Sequence, residues 1–123
     1  MAKRILIIDD DTYIRELYEE LLKAEGYDVV TEKDGAAGLA RIQEGGFDLI
    51  LLDIMLPKID GHGVLVKLKE QPPTKPNGPI VVLTNLANDP IIQESVSLGA
   101  AASYIKSDHT PEEFLGMIKK YLT

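Results

Sequence analysis

The chain has 123 residues, no cysteine, 45% hydrophobic residues and a net charge of −7 from 13 basic and 20 acidic side chains. At roughly 150 residues per domain, residues 1–123 make one domain, large enough to bury about two-thirds of its unfolded surface. The composition excludes a disulfide scaffold, a thiolate metal site, a cysteine nucleophile and disorder, and it argues against nucleic-acid binding through a basic face.

Short β-branched apolar runs alternate with stretches of helical spacing. Arg4–Ile8 predicts a first strand. Ile14, Leu17, Leu21 and Leu22 share one face of a first helix that ends at Gly26, and the glutamates from Glu16 to Glu25 read as its solvated face. Tyr27–Thr31 predicts a second strand, and Ala36, Leu39, Ala40 and Ile42 a second helix closed by Gly45-Gly46. Leu49–Leu52 is a third strand, followed by a helix through Val64, Leu65 and Leu68. Gln71–Pro79 holds four of the seven prolines and reads as a stiff loop. Ile80–Leu83 is a fourth strand; Asn88-Asp89-Pro90 opens a fourth helix through Ile91, Ile92 and Val96 that stops at Gly99. Ser103–Ile105 is a fifth strand. Thr110-Pro111-Glu112-Glu113 is a capping box, and Phe114, Leu115, Ile118 and Leu122 give the fifth helix a buried face. The longest runs of large apolar residues are four long, against about 20 for a membrane helix and about 7–15 for a secretory leader.

Five β–α units predict an α/β, doubly wound (βα)5 domain, a parallel sheet with helices on both faces. Three of the strands are apolar nearly throughout, as strands covered on both faces are. In such sheets the functional crevice lies beyond the carboxyl ends of the strands, at the topological switch point. The proline-rich loop precedes a strand and so belongs at the opposite end. Asp9, Asp10 and Asp11 follow the first strand, Asp53 ends the third, Thr84 the fourth and Lys106 the fifth. A sheet order of 2-1-3-4-5 brings them together. Two carboxylates about 4 Å apart cost about 4 kcal/mol at an effective dielectric near 20, so the cluster needs compensation. One lysine supplies part, and Mg²⁺, held by a few carboxylates and waters, supplies the rest. Neither His62 nor His109 directly follows a strand, which argues against zinc. A carboxylate beside Mg²⁺, a lysine and a hydroxyl is equipped to take a phosphoryl group as an acyl phosphate.

Asp9-Asp10, the segment from Asp53 through Met55 and Pro57 to Asp60-Gly61, then Thr84 and Lys106, together resemble the receiver (CheY-like) domain of two-component response regulators. The resemblance covers essentially the whole chain. It implies the 2-1-3-4-5 order of the flavodoxin-like fold. It implies Asp53 as phosphoacceptor, Asp10 as a direct Mg²⁺ ligand, Asp9 as a ligand mainly through water, and the Met55 carbonyl as a further ligand. Thr84 would hydrogen-bond the phosphoryl group and Lys106 would pair with it. It further implies a cytoplasmic signalling protein, not an enzyme beyond its own phosphorylation and dephosphorylation. Its partners would be a histidine kinase or phosphotransfer protein and an output domain or target, with no direct nucleic-acid contact and no membrane.

Three positions depart from the family pattern. Ser107 stands where proline usually follows the lysine, and Asn85 where a small residue usually follows the threonine; Asn85 is expected to narrow access to the phosphoryl site. The third is Ser103, where many receivers place an aromatic three residues before the lysine. Tyr104 lies one residue later, and strand alternation turns it to the opposite face unless a bulge intervenes. Other readings coexist with the switch: a receiver-fold module that binds a partner without phosphorylation, a Mg²⁺ phosphohydrolase without a cap domain, and a flavodoxin, whose phosphate the three aspartates would repel. Asp11 is expected to cap the first helix. Asp60-Gly61 reads as turn chemistry, His62 and His109 as solvated loop residues, and the Met55 side chain as packing. The chain is either a stand-alone receiver or one cut from a longer regulator.

Overall fold

A computed structural model describes residues 2–85 and 90–122. Its strands β1 (Arg4–Ile8), β2 (Asp28–Glu32), β3 (Leu49–Leu52), β4 (Ile80–Thr84) and β5 (Ala102–Ile105) form a parallel sheet in the order β2-β1-β3-β4-β5. The helices are α1 (Thr12–Ala24), α2 (Gly35–Glu44), α3 (Gly61–Glu70), α4 (Pro90–Ser97) and α5 (Pro111–Lys119). The doubly wound architecture and the strand order are those expected. Asn88 and Asp89, read as the opening of the fourth helix, lie outside the described residues. A 3₁₀ turn over Lys106–Asp108, not anticipated from the sequence, follows β5.

Period-two alternation divides the core into two layers. Ile5, Ile7, Leu49, Leu51, Val81 and Leu83 pack towards α1 and α5. Leu6, Ile8, Ile50, Leu52 and Val82 pack towards α2 and α3. β1, β3 and β4 are central and almost wholly buried, whereas β2 and β5 form the edges and are only partly so. That is why the central three read as unbroken apolar runs. Tyr18, absent from the predicted helix face, stacks on Phe114 at 4.1 Å between ring centroids and joins α1 to α5. Gly38 lets α2 lie close to β1, since a Cβ there would sit 2.7 Å from Ile8.

The proline-rich loop is anchored at the amino ends of the strands. Asn77 accepts from the Phe47 amide at 3.0 Å and donates to the Ile42 carbonyl at 2.9 Å. Four local expectations need correction. Val96 is half exposed, whereas Ser95 of α4 is buried. Asp60 is the N-cap of α3 rather than a simple turn residue, accepting from the Gly63 amide at 2.7 Å. His62 lies within α3, partly buried, with Nε2 3.1 Å from Glu94 of α4. The His109 ring is partly buried against Tyr104.

Leu6 is completely buried in the central strand, so Leu6→Ala is expected to cost about 2–5 kcal/mol through lost burial and a residual cavity. Urea unfolding with an unchanged m-value measures it; a loss under about 1 kcal/mol would show that the sheet repacks around the gap.

Candidate functional site

The register of the central strands brings the acidic residues together. Ile8 of β1 lies beside Leu52 of β3, so the next residues, Asp9 and Asp53, leave the sheet side by side. The Asp53 amide donates to the Ile8 carbonyl at 3.0 Å, and the Asp9 amide to the Glu32 carbonyl at 3.1 Å. Both side chains are buried, Asp9 at 3% and Asp53 at 6% exposure. Asp10 is exposed. Asp11 caps α1 as expected, accepting from the Ile14 amide at 3.1 Å, and its own amide donates to Asp9 Oδ1 at 2.9 Å. Thr84, completely buried, ends β4. Gly61 permits the next loop to fold beneath the site, because a Cβ there would sit 2.3 Å from the Asp53 carbonyl oxygen.

Lys106 closes the group. Its Nζ donates to Asp9 Oδ2 at 2.5 Å and to Asp53 Oδ2 at 3.0 Å, with all three side chains under a tenth exposed. One oxygen from each of Asp9, Asp10 and Asp53 lies within 4.8 Å of the others. Asp10, Asp53, Met55, Thr84, Asn85 and Lys106 line an open cleft of about 220 Å³. The six residues singled out from the sequence, Asp9, Asp10, Asp53, Met55, Thr84 and Lys106, therefore meet at one place. The Met55 side chain corrects the packing expectation: it is 58% exposed, because the chain turns outward directly after β3. Its amide donates to Asp53 Oδ1 at 3.3 Å.

Burial pushes the Asp53 carboxyl above its ordinary value, and Lys106 opposes but does not cancel that rise. For Lys106, burial is the largest single influence and pulls downward, yet Asp9 and Asp53 together raise it above the usual lysine value. At the outer limit of 4.8 Å, a pair of carboxylates repels by about 3.5 kcal/mol at an effective dielectric near 20. Three carboxylates against one ammonium leave two negative charges. An all-oxygen donor set carrying that excess fits a hard divalent cation such as Mg²⁺.

Pairing between β4 and β5 runs without a bulge, Val82 opposite Ser103 and Leu83 opposite Tyr104. Tyr104 accordingly packs in the layer of α1 and α5, with its hydroxyl 2.8 Å from that of Tyr121. The hydrogen bond shared with Tyr104 is the main reason that the Tyr121 hydroxyl is pushed up to about 12. Arg15 escaped the sequence reading, and so did the contact that Asn85 makes. Arg15 donates from Nη1 to the Asp9 carbonyl at 2.7 Å, fixing the end of β1. Asn85 Oδ1 accepts from the Ser107 amide at 3.1 Å. Arg15 lies four residues after Asp11, on the first turns of α1, a spacing that hints at contact with the strand end; nothing local points from Asn85 to Ser107.

The raised Lys106 value implies stability that is complete below the ordinary lysine pKa of 10.5 and lost as pH rises through the higher folded value. The stability gap between wild type and Lys106→Met is expected to narrow above that pH in chemical unfolding. A gap independent of pH would contradict the ion pairs.

The family model of the response regulator receiver domain matches residues 5–119. Among similar proteins is the alkaline phosphatase synthesis transcriptional regulatory protein PhoP of Bacillus subtilis, 37% identical over 99% of this chain and 49% of its own. Another is the probable transcriptional regulator ycf27 of Cyanophora paradoxa, 35% identical over 98% of this chain and 48% of its own. The chain spans about half the length of these curated relatives. A crystal structure of a CheY-like receiver domain protein from Methanospirillum hungatei JF-1 superposes with a TM-score of 0.86 at 34% identity, covering 99% of this chain and 94% of that one. With that fold, that strand-end cluster and a match over nearly its whole length, the chain belongs to the response regulator receiver domain family.

Proposed function

We propose that residues 1–123 form one receiver domain that works as a phosphorylation-activated switch of a two-component system, with Asp53 as the phosphoacceptor. The observation that carries this reading is the Lys106 ammonium shared between Asp9 and Asp53 beside Asp10 and Thr84. Asp53 is held for attack: Oδ1 accepts from the Met55 amide and Oδ2 from Lys106. As an Asp53 oxygen bonds to phosphorus and the donor leaves, Lys106 passes from the carboxylate to a phosphoryl oxygen. The Thr84 hydroxyl hydrogen-bonds another. Asp9, Asp10, Asp53 and the Met55 carbonyl are the groups to hold Mg²⁺, which supplies charge neutralisation on the phosphoryl oxygens. The burial of Asp9, Asp53, Thr84 and Lys106 strengthens the interactions that they make.

The phosphoryl donor is a histidine kinase, a phosphotransfer protein or a small acyl phosphate. The chain promotes only its own phosphorylation and dephosphorylation. The added phosphoryl group carries about −1.5 to −2 charges, enough to bias a two-state surface. An output domain or target protein reads that surface. Two relatives are named as transcriptional regulators, which favours an output in gene regulation. The net charge of −7 opposes direct DNA contact by this chain. A cytoplasmic location fits the absence of cysteine, and no helix among the described residues is long and apolar enough to cross a membrane.

Intact mass after incubation with acetyl phosphate and Mg²⁺ tests the assignment. One added phosphoryl mass is expected, absent in Asp53→Asn and with EDTA. The same gain in Asp53→Asn would move the acceptor elsewhere. No gain from acetyl phosphate, phosphoramidate or a panel of histidine kinases would favour the partner-binding module instead.

A further inference from the structure

Two of the departures from the family pattern meet in space. Ser107, which replaces the usual proline, carries a backbone N–H. It is the second residue of the 3₁₀ turn over Lys106–Asp108, whose opening residue Ile105 provides no side-chain cap. The first amides of such a turn have no partner within it. Asn85, which replaces the usual small residue, reaches across from the end of β4 and accepts the Ser107 amide with Oδ1 at 3.1 Å. The peptide thus held is the one joining Lys106 to Ser107. One residue back along the chain, the Lys106 side chain makes its two bonds to Asp9 and Asp53. Asn85 is itself part of the cleft wall.

We propose that Asn85 is a positioning residue for Lys106: its amide oxygen pins the strand-end turn and so fixes where the ammonium stands between the two carboxylates. The inference rests on the phosphorylation reading above and reverses the expectation that Asn85 merely narrows access. A steric gate slows the reaction, so trimming it speeds phosphorylation. A positioning contact does the opposite.

The experiment compares wild type, Asn85→Ala, Lys106→Met and the double variant in the rate of phosphoryl gain from phosphoramidate with Mg²⁺. Asn85→Ala is expected to lower the rate about three- to ten-fold, the scale of one hydrogen bond's net contribution. In the Lys106→Met background the same change is expected to do nothing measurable, since Asn85 acts through the lysine. A rate that stays equal or rises in Asn85→Ala overturns the proposal, as does an undiminished effect in the Lys106→Met background. NMR gives a readout independent of the chemistry. The Ser107 amide proton is expected to move upfield, and the Lys106 Nζ signal to shift, in Asn85→Ala. Asn85→Asp, which keeps the acceptor oxygen, is expected to retain the Ser107 position. If wild type takes no phosphoryl group, the functional reading fails, and an unmoved Lys106 Nζ signal then overturns the role of Asn85 separately.

Discussion

The geometry of this site depends on one ammonium group. Lys106 Nζ lies between Asp9 and Asp53, at 2.5 Å and 3.0 Å, with all three side chains under a tenth exposed. Without it, two buried carboxylates would face each other with no ammonium between them; the Asp11 amide serves one and the Met55 amide the other. With it, the pair is tolerable but the cluster as a whole remains negative once Asp10 is counted. That residual charge is useful. Under the proposed function, a divalent cation and a phosphoryl group would complete the site together, and Lys106 would have partners before and after the transfer.

The fold places these groups through register rather than loop design. β1 and β3 are adjacent and end in step, so Asp9 and Asp53 emerge as neighbours. β4 and β5 pair next in the sheet, and Thr84 lies opposite Ile105, immediately before Lys106. Long-range contacts thus become a matter of counting to the end of each strand. The burial of both faces of β1, β3 and β4 makes that count rigid, because a one-residue slip would turn whole strands inside out.

Much of this was legible in the sequence, for a physical reason. Central parallel strands must be apolar on both faces, so Arg4–Ile8, Leu49–Leu52 and Ile80–Leu83 stood out as runs, and the first polar residues after them marked the crevice. The capping residues Asp11 and Thr110 were legible because their chemistry is local. What stayed hidden was non-local or set by one helix facing another. Helical spacing could not tell Val96 from Ser95 on α4, nor find Tyr18 against Phe114. His62 looked like a loop residue until α3 and α4 set it beside Glu94. The Asn85 contact joins residues 22 apart in sequence, and no periodicity reports such a pair. The one-residue offset of Tyr104 was legible, because alternation admits only two faces and no bulge resets the count.

That offset also bears on how a signal leaves the site. With Ser103 on the face of Val82 and Tyr104 bound to Tyr121, the strand that leads into Lys106 is tied to the residues just after α5. The central claim concerns the charge that lies upstream of any such movement: the carboxylates at the strand ends hold a divalent cation beside Asp53. Mg²⁺ titration followed by amide NMR addresses it most directly. One ion per chain is expected, with the largest shifts at Asp10, Asp11 and Met55, and binding weaker by about ten-fold or more in Asp10→Asn. An affinity unchanged in Asp10→Asn, or shifts centred away from the ends of β1 and β3, would contradict it.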